Sequence, residues 1–196
     1  MTKQRFTTAL PSGDGPARYG PVALGLHWLT VVLVFTQIAL GFQGALLPPG
    51  FDKLVVLARH KSLGITIFGL TAVRLVWRAA NPPPEPPAAM SRLERRAARI
   101  SHGALYVLLL TMPIAGWLGS SASGISVSWF DVVTLPDLLG PNKALAHLLF
   151  GIHALMAWLL IAILSLHIGA ALWHHFVRRD TVLRRMLPGA HRGGSP

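Results

Sequence analysis

The last long apolar segment of the chain, residues 143–178, contains histidines within it. His153 and His167 are fourteen positions apart, so on an α-helix both imidazoles point to the same side, about 21 Å apart along the axis. His174 lies seven positions further on and extends the same face by about 10 Å. A polar side chain is costly in hydrocarbon and normally faces a bundle interior or a bound group. Two imidazoles at different depths therefore indicate two cofactors, one near each membrane surface.

The composition is that of a membrane protein. Of the 196 residues, 52% are hydrophobic and only 13% are charged, and several apolar runs exceed the roughly 18 residues that indicate a spanning helix. The net charge of +11 could indicate nucleic-acid binding. The positive side chains flank the apolar runs, however, so we expect a lipid bilayer and no nucleic acid as partner. The chain has no cysteine, which excludes disulfides, thiolate-ligated iron–sulfur clusters and a covalently attached c-type haem.

The apolar runs predict the organisation of the chain. They correspond to four transmembrane helices at about residues 21–47, 54–77, 100–119 and 143–178. Between them lie a short turn at 51–53, a proline-rich linker at 81–87, a basic amphipathic lead-in at 91–99 and a polar loop at 120–142. The sequence therefore predicts an all-α integral membrane four-helix bundle over residues 21–178. An N-terminal segment of residues 1–20 precedes it, and a basic tail of residues 179–196 follows it.

Lysine and arginine residues are distributed unevenly between the two ends of the predicted bundle. Fourteen of the eighteen lie in the N-terminal segment, around the second connection and in the C-terminal tail, which share one side. The other side has only Lys53, Arg59, Lys61 and Lys143. Because positive residues are enriched in cytoplasmic segments, both termini are predicted to be cytoplasmic.

This orientation sorts four histidines by depth. His27 and His167 lie in the cytoplasmic half of the bundle, whereas His60 and His153 lie in the outer half. A b-type haem held by two axial imidazoles needs two ligands at one depth on facing helices. Zinc is less suitable, because it takes about four ligands that converge on one point. The spacing therefore favours two haem sites, His27 with His167 and His60 with His153.

Short motifs spread along the chain resemble those of the bacterial cytochrome b561 family. They are Tyr19-Gly20-Pro21 with Leu26-His27-Trp28, the segments 60–64 and 101–106, the histidines at 153, 167, 174 and 175, and the segment 180–186. The resemblance extends from about residue 18 to residue 188. It implies a multi-pass, quinone-linked cytochrome of the bacterial inner membrane that carries two haem b groups. The axial ligands it implies are His27, His60, His153 and His167.

Two further residues are candidates for cofactor binding. Arg74 lies fourteen positions after His60, so it shares that helix face near the depth of the inner haem. It is expected to pair with a haem propionate, the alternative being an arginine that extends to the membrane interface. His174 lies on the face of His167. It is expected to line a quinone site or to contact the propionates of the inner haem.

Other polar residues near the proposed ligands have more than one interpretation. His102 lies at the cytoplasmic boundary, as an interfacial histidine or a contact to quinone or propionate. His147 is six positions before His153, which turns it away from the ligand face and suggests an outer-interface residue. Arg59 and Lys61 flank His60. They could bind propionates, attract a small anion by their local field or simply extend to the interface.

The resemblance and the histidine pairs together predict a transmembrane oxidoreductase. An outer donor, either superoxide or a protein, reduces the outer haem, and the electron crosses to the inner haem and then to ubiquinone. One class within the family oxidises superoxide in this way. Two alternatives remain open, a haem-carrying anchor subunit of a hydrogenase or dehydrogenase and a haem-free, histidine-lined transporter.

Overall fold

The computed structural model of the protein describes residues 18–87 and 90–187. Within these ranges four helices are long and apolar enough to cross a membrane, which confirms the predicted all-α bundle. The helices are α1 (Pro21–Leu46), α2 (Phe51–Ala80), α3 (Arg92–Ala122) and α4 (Lys143–Trp173). A single π-helical turn (His174–Arg178) and a short 3-10 turn (Arg184–Met186) follow α4. Most of the predicted N-terminal segment, and the tail beyond residue 187, lie outside the described residues.

Local sequence signals set several helix ends. Pro21 occupies the first position of α1, where its fixed φ suits a helix and its missing N–H is not needed. A capping box begins α3, because the Ser91 hydroxyl accepts from the Glu94 N–H at 3.2 Å and the Glu94 carboxylate accepts from the Ser91 N–H at 2.7 Å. The Asn142 side chain caps α4 by accepting from the Leu145 N–H at 3.1 Å. These side chains satisfy backbone donors that a helix leaves unpaired.

Three predicted boundaries differ from the structure. Residues 51–53, predicted as a turn, form the first turn of α2, where the negative charge of Asp52 suits the positive end of the helix dipole. The lead-in at 91–99 is continuous with the third span, and the resulting α3 ends at Ala122 rather than at residue 119. With 31 residues, α3 is about 46 Å long and exceeds the roughly 30 Å hydrocarbon core.

The loop between α3 and α4 contains a small hairpin. Strands β1 (Ser128–Trp129) and β2 (Val133–Thr134) pair in antiparallel register, and the turn residues Phe130 and Asp131 both have positive φ angles, as a tight primed hairpin turn requires. Strands this short lack the repeated alternation by which sequence patterns reveal a strand. We call this end of the bundle the hairpin end, and the opposite end, with residues 18–20 and 179–187, the termini end.

An apolar layer fills the centre of the bundle. It is formed by Val34, Ile67, Leu108, Leu109, Met112 and Leu160. Three of its members, Val34, Ile67 and Leu160, lie seven positions from a candidate histidine on their own helix. The layer is therefore about 10 Å from the histidines on either side, and it separates the hairpin-end histidines from the termini-end histidines.

The surface of the bundle is also apolar. Large side chains such as Leu29, Val32, Leu155, Trp158 and Leu166 are 50–71% exposed. A soluble protein rarely presents so much contiguous apolar surface, whereas lipid covers it at no cost. The exterior therefore agrees with a multi-pass membrane protein.

Candidate functional site

The hairpin-end layer contains His60 on α2 and His153 on α4. The centroids of the two rings are 6.1 Å apart, with planes inclined at 72°. Both side chains are partly buried between the helices. The structure therefore brings together the two residues that the sequence paired at this depth.

The protonation state of His153 follows from its neighbour. Its Nδ1 lies 3.0 Å from the carbonyl oxygen of Met112, and since a carbonyl can only accept, Nδ1 must carry the proton. The neutral ring then has its lone pair on Nε2, the arrangement that metal-binding histidines use. A Cβ on Gly116 would lie 3.2 Å from the ring, so glycine at this position lets the imidazole approach α3.

Residues of α1 contact both the backbone and the ring of His60. The amide nitrogen of Gln37 donates to the His60 carbonyl oxygen at 3.0 Å and lies 3.2 Å from its ring Nε2. A Cβ on Gly41 would lie 3.3 Å from the His60 ring, so the imidazole packs closely on the α1 backbone. The His60 Nδ1 and the Gln37 Oε1 are buried and have no hydrogen-bond partner within residues 18–87 and 90–187.

The termini-end layer contains three histidines and an arginine. His27 on α1 accepts at Nδ1 from the Arg74 guanidinium at 3.0 Å, because a guanidinium can only donate. His167 and His102 also lie within electrostatic reach of His27. Arg74 lies over the ring of Tyr106, 5.5 Å from its centroid. The sequence placed Arg74 near this depth, and the structure puts it directly against His27.

His102 lies deeper in the bundle than its boundary position suggested. Its ring is 5.2 Å from that of His167, centroid to centroid. The ring that packs against His167 is therefore that of His102. The side chain that is hydrogen-bonded to His27 is that of Arg74. Which helix faces meet depends on the rotation of α3 against α4, which a single sequence does not specify.

His174 lies in the π-helical turn that follows α4, and it is buried, with 6% exposure. Its Nδ1 is 2.5 Å from the Asp180 carboxylate, which also accepts from the Val182 N–H at 3.0 Å. Burial acts against the charged carboxylate, but the Val182 N–H, the His174 side chain and the positive charge of Arg178 outweigh it and hold the pKa of Asp180 below its ordinary value. The sequence did not predict a role for Asp180, because the contact depends on the left-handed backbone of Arg179.

The C-terminal segment 179–187 folds back across the termini end. The indole of Trp28 on α1 donates to the Met186 carbonyl oxygen at 2.6 Å, and Arg185 donates to the Glu85 carbonyl oxygen at 2.5 Å. Arg178 forms an ion pair with Glu94 on α3 at 3.8 Å. The segment therefore joins the end of α4 to α1 and to the proline-rich linker, and Arg178 of the preceding π-helical turn joins it to α3.

A basic pocket of about 170 Å³ opens beside this segment. Its lining includes three arginines and two tyrosines, together with Trp77 and prolines of the linker; the charged and phenolic residues are Arg18, Tyr19, Arg74, Arg78 and Tyr106. A pocket with these side chains suits an anionic or amphiphilic group.

At the hairpin end, the two cations that flank His60 have different environments. Arg59 is exposed. The Lys61 ammonium donates to the Ser126 carbonyl oxygen at 3.2 Å and to the Ser120 hydroxyl at 3.4 Å, so it fastens the loop to α2. His147 is exposed near the start of α4, as its spacing from His153 predicted.

Comparison with known proteins identifies close relatives along most of the chain. The family model described as prokaryotic cytochrome b561 matches residues 18–189. Cytochrome b561 homolog 2 of Escherichia coli (strain K12) is 37% identical over 178 residues, which cover 88% of this chain and 92% of the relative. Cytochrome b561 homolog 1 of the same organism is 30% identical, covering 87% of this chain and 97% of the relative.

A third relative has a name that states an activity. The probable superoxide oxidase CybB of Yersinia pestis is 30% identical over 175 residues, which cover 87% of this chain and 96% of the relative. The match to the family model covers all four spans and all the candidate histidines. The chain therefore belongs to the prokaryotic cytochrome b561 family of haem-binding, multi-pass membrane proteins of electron transport.

Proposed function

We propose that this protein is a di-haem b cytochrome that transfers electrons from a donor at the hairpin end to ubiquinone at the termini end. The observation that carries the proposal is the pair of imidazoles of His60 and His153, 6.1 Å apart across the bundle. A second set of histidines lies on the same bundle about two heptads away. Two such layers, separated by apolar side chains, suit two cofactors better than one.

The hairpin-end residues fit a haem iron. Metal–imidazole nitrogen bonds are about 2.0 Å long, so two rings on opposite sides of one metal ion have centroids roughly 6 Å apart. The 6.1 Å separation of the His60 and His153 ring centroids agrees with this value. Because the proton of His153 is held on Nδ1 by the Met112 carbonyl oxygen, its Nε2 is the nitrogen left for the iron.

The termini-end residues fit a second haem if Arg74 exchanges its hydrogen bond to His27 for one to the haem. The family resemblance gives His27 and His167 as the ligands here. The Arg74 guanidinium, which now donates to His27, would pair instead with a haem propionate, a stronger, charge-assisted partner. Arg78 lines the same basic pocket and adds positive charge beside it. This exchange would free the His27 ring to bind metal.

Haem b supplies one-electron redox chemistry when it is bound, and the protein supplies ligands, burial and orientation. The apolar layer that includes Ile67 and Leu160 keeps water and ions out of the centre. A polar path through the membrane would let protons cross along with electrons, and this layer opposes it. Haems bound in the two histidine layers could therefore exchange electrons without a polar channel through which protons cross the membrane.

Reduction of ubiquinone also requires protons. Two superoxide anions each give up one electron and leave as O₂, and ubiquinone takes up two electrons and two protons to form ubiquinol. His174 suits proton delivery, because it is buried near the termini end and its Nδ1 is held by Asp180. With Nδ1 bonded to Asp180, Nε2 is the ring nitrogen left to exchange a proton with a bound quinone.

Superoxide is the donor that the available observations favour. The name of the Yersinia pestis relative supports it. Arg59 is exposed next to His60, where a positive charge attracts a small anion. The excess of positive residues at the termini end supports an orientation with that end in the cytoplasm, which places the hairpin end outside.

The test begins with the purified protein and a dithionite-reduced minus air-oxidised spectrum, with haem measured per polypeptide. We expect a b-type α-band and about two haems per chain. Superoxide is then added with and without a short-chain ubiquinone, and ubiquinol is measured. Haem reduction by superoxide followed by ubiquinol formation supports the oxidase. Absence of both, with co-purified hydrogenase or dehydrogenase subunits, supports an anchor subunit, and a haem-free protein contradicts both.

A further inference from the structure

A buried amide lies within the membrane-spanning part of α1. Gln37 is only 6% exposed and lies ten positions after His27, in a stretch whose other polar side chains are the hydroxyls of Thr30 and Thr36. Burying an amide in an apolar environment costs free energy unless its hydrogen bonds are made. The motifs that carry the family resemblance do not include this residue, so its position requires its own explanation.

Gln37 is packed directly against the candidate ligand His60. Its amide nitrogen donates to the His60 carbonyl oxygen at 3.0 Å and also lies 3.2 Å from the ring Nε2. A Cβ on Gly64, one turn beyond His60, would lie 3.2 Å from the same nitrogen. The amide therefore occupies a close-fitting position that holds both the backbone and the ring of His60.

Two polar atoms of this pair have no partner within the described parts of the chain. They are the amide oxygen of Gln37, which is an acceptor, and Nδ1 of His60, which can be a donor. Buried polar atoms in native proteins are almost always paired. A histidine that binds a metal through Nε2 carries its proton on Nδ1 and normally donates it to a neighbouring oxygen. The two unpaired atoms are thus complementary for the metal-bound state of His60.

The other ligand of this layer already has such a partner, since the Met112 carbonyl oxygen accepts from Nδ1 of His153. We propose that Gln37 is the positioning residue of His60. When Nε2 binds the iron, the Gln37 amide nitrogen gives up its contact with Nε2 and keeps its bond to the His60 carbonyl oxygen. The amide oxygen then accepts the Nδ1–H of His60, and this hydrogen bond sets the orientation and the basicity of the ligand. The inference rests on the proposed haem ligation by His60.

The chemistry gives the inference a direction. An acceptor on Nδ1–H makes the imidazole a stronger electron donor to the iron and stabilises the oxidised state. Removing the acceptor therefore raises the reduction potential of the hairpin-end haem, and a stronger acceptor lowers it. The termini-end haem, which lies on the other side of the apolar layer, keeps its potential.

Redox titration of the α-band tests the inference in three variants. Gln37→Met keeps the length of the side chain but removes the amide, and we expect a positive shift in the potential of one haem. Gln37→Glu supplies a stronger acceptor, and we expect a negative shift in the same haem. Thr36→Val is the matched control, because Thr36 is exposed and, within residues 18–87 and 90–187, its hydroxyl bonds only to the Val32 carbonyl oxygen of its own helix. It should leave both potentials unchanged.

The outcomes separate this inference from the proposed function. The His153→Ala variant identifies the affected haem. The haem whose potential shifts in the Gln37 variants should be the one that His153→Ala lacks. If the wild-type protein binds no haem, the proposed function fails. If the wild type binds two haems and both Gln37 variants retain its potentials, only the role of Gln37 is overturned, and equal shifts of both haems overturn it as well. Should Gln37→Met fold poorly, the sign of the shift in Gln37→Glu decides the question.

Discussion

At the scale of single residues, the hairpin-end layer allows a direct test of ligation. His153→Ala removes a ring whose Nε2 is left for a metal by the bond to Met112. We expect the haem content to fall from about two to about one per chain, measured by a pyridine haemochrome assay. His147→Ala is the control, because His147 is exposed and lies on a different face of α4. An unchanged haem content in His153→Ala would remove His153 from the ligand set.

The termini-end layer poses a choice between two histidines. The family resemblance pairs His27 with His167, whereas the ring packed against His167 is that of His102. We expect His27→Ala to lose one haem and His102→Ala to retain both, because Arg74 can leave His27 for a propionate. Haem content and the reduced α-band distinguish the variants. The reverse result would assign the axial position to His102.

Asp180 gives a pH-dependent prediction outside the membrane. Its pKa is lowered in the folded protein, chiefly by the Val182 N–H and His174 acting against burial. A carboxylate with a lowered folded pKa stabilises the protein above its ordinary unfolded pKa, and this contribution is lost as the pH falls through the folded pKa. Asp180→Asn should therefore unfold at a lower temperature than the wild type at pH 7, and the gap should narrow as the pH falls below about 4.

Thermal unfolding in detergent over this pH range measures the effect. Asp137→Asn is a suitable control, since Asp137 is an exposed acid of the hairpin-end loop that accepts one hydrogen bond, from Ser126. A gap between Asp180→Asn and the wild type that stays constant with pH would show that the carboxylate charge does not stabilise the C-terminal segment.

At the scale of elements, one serine fastens the hairpin to α2. The Ser62 hydroxyl lies 3.0 Å from the Phe130 N–H, which donates to it, and 3.1 Å from the Ser128 carbonyl oxygen. Ser62→Ala removes both contacts and should cost about 1–2 kcal/mol. We expect faster proteolysis within residues 123–142 and a lower unfolding temperature. Thr111→Val, which removes an intrahelical bond to Val107, should change neither. Equal effects of the two substitutions would show that the Ser62 contacts do not stabilise the loop.

The elements also show what a single sequence can predict. The four spans followed from apolar runs of the right length, and the depth of each histidine followed from its position within a span. Helix ends were predicted less accurately. Residues 51–53 were predicted as a turn, but they contain no glycine or proline to interrupt a helix and form the first turn of α2. The hairpin was not predicted, because its strands are very short and β1 is held by Ser62 and Thr66 of α2, far away in the sequence.

The contacts between side chains required the tertiary structure. His60 and His153 were paired by depth alone, and the arrangement of the four helices brought their rings together across the bundle. The same reasoning could not place His102 against His167, because depth does not give helix rotation. Nor could it identify Gln37, since a lone glutamine in an apolar run looks the same whether it faces lipid or a ligand.

At the scale of the whole molecule, the two ends of the bundle have different chemistry. The termini end carries most of the arginines, the basic pocket and the His174–Asp180 pair. The hairpin end has the folded loop over α2 and the exposed Arg59. An electron carrier with unlike ends has a direction, and the proposed reaction needs superoxide at one end and protons at the other.

The direction of electron transfer depends on the orientation of the bundle in the membrane. The chain has no cysteine, so single cysteines report the side of the membrane without a background signal. Asp131 at the hairpin tip and Arg96 near the start of α3 are both exposed. In intact cells we expect a membrane-impermeant maleimide to label Asp131→Cys, and to label Arg96→Cys only after the inner membrane is opened, because positive residues favour the cytoplasmic side. The reversed pattern would place the hairpin end in the cytoplasm, where His60 and Arg59 could not meet superoxide from outside. The donor would then have to be sought inside the cell.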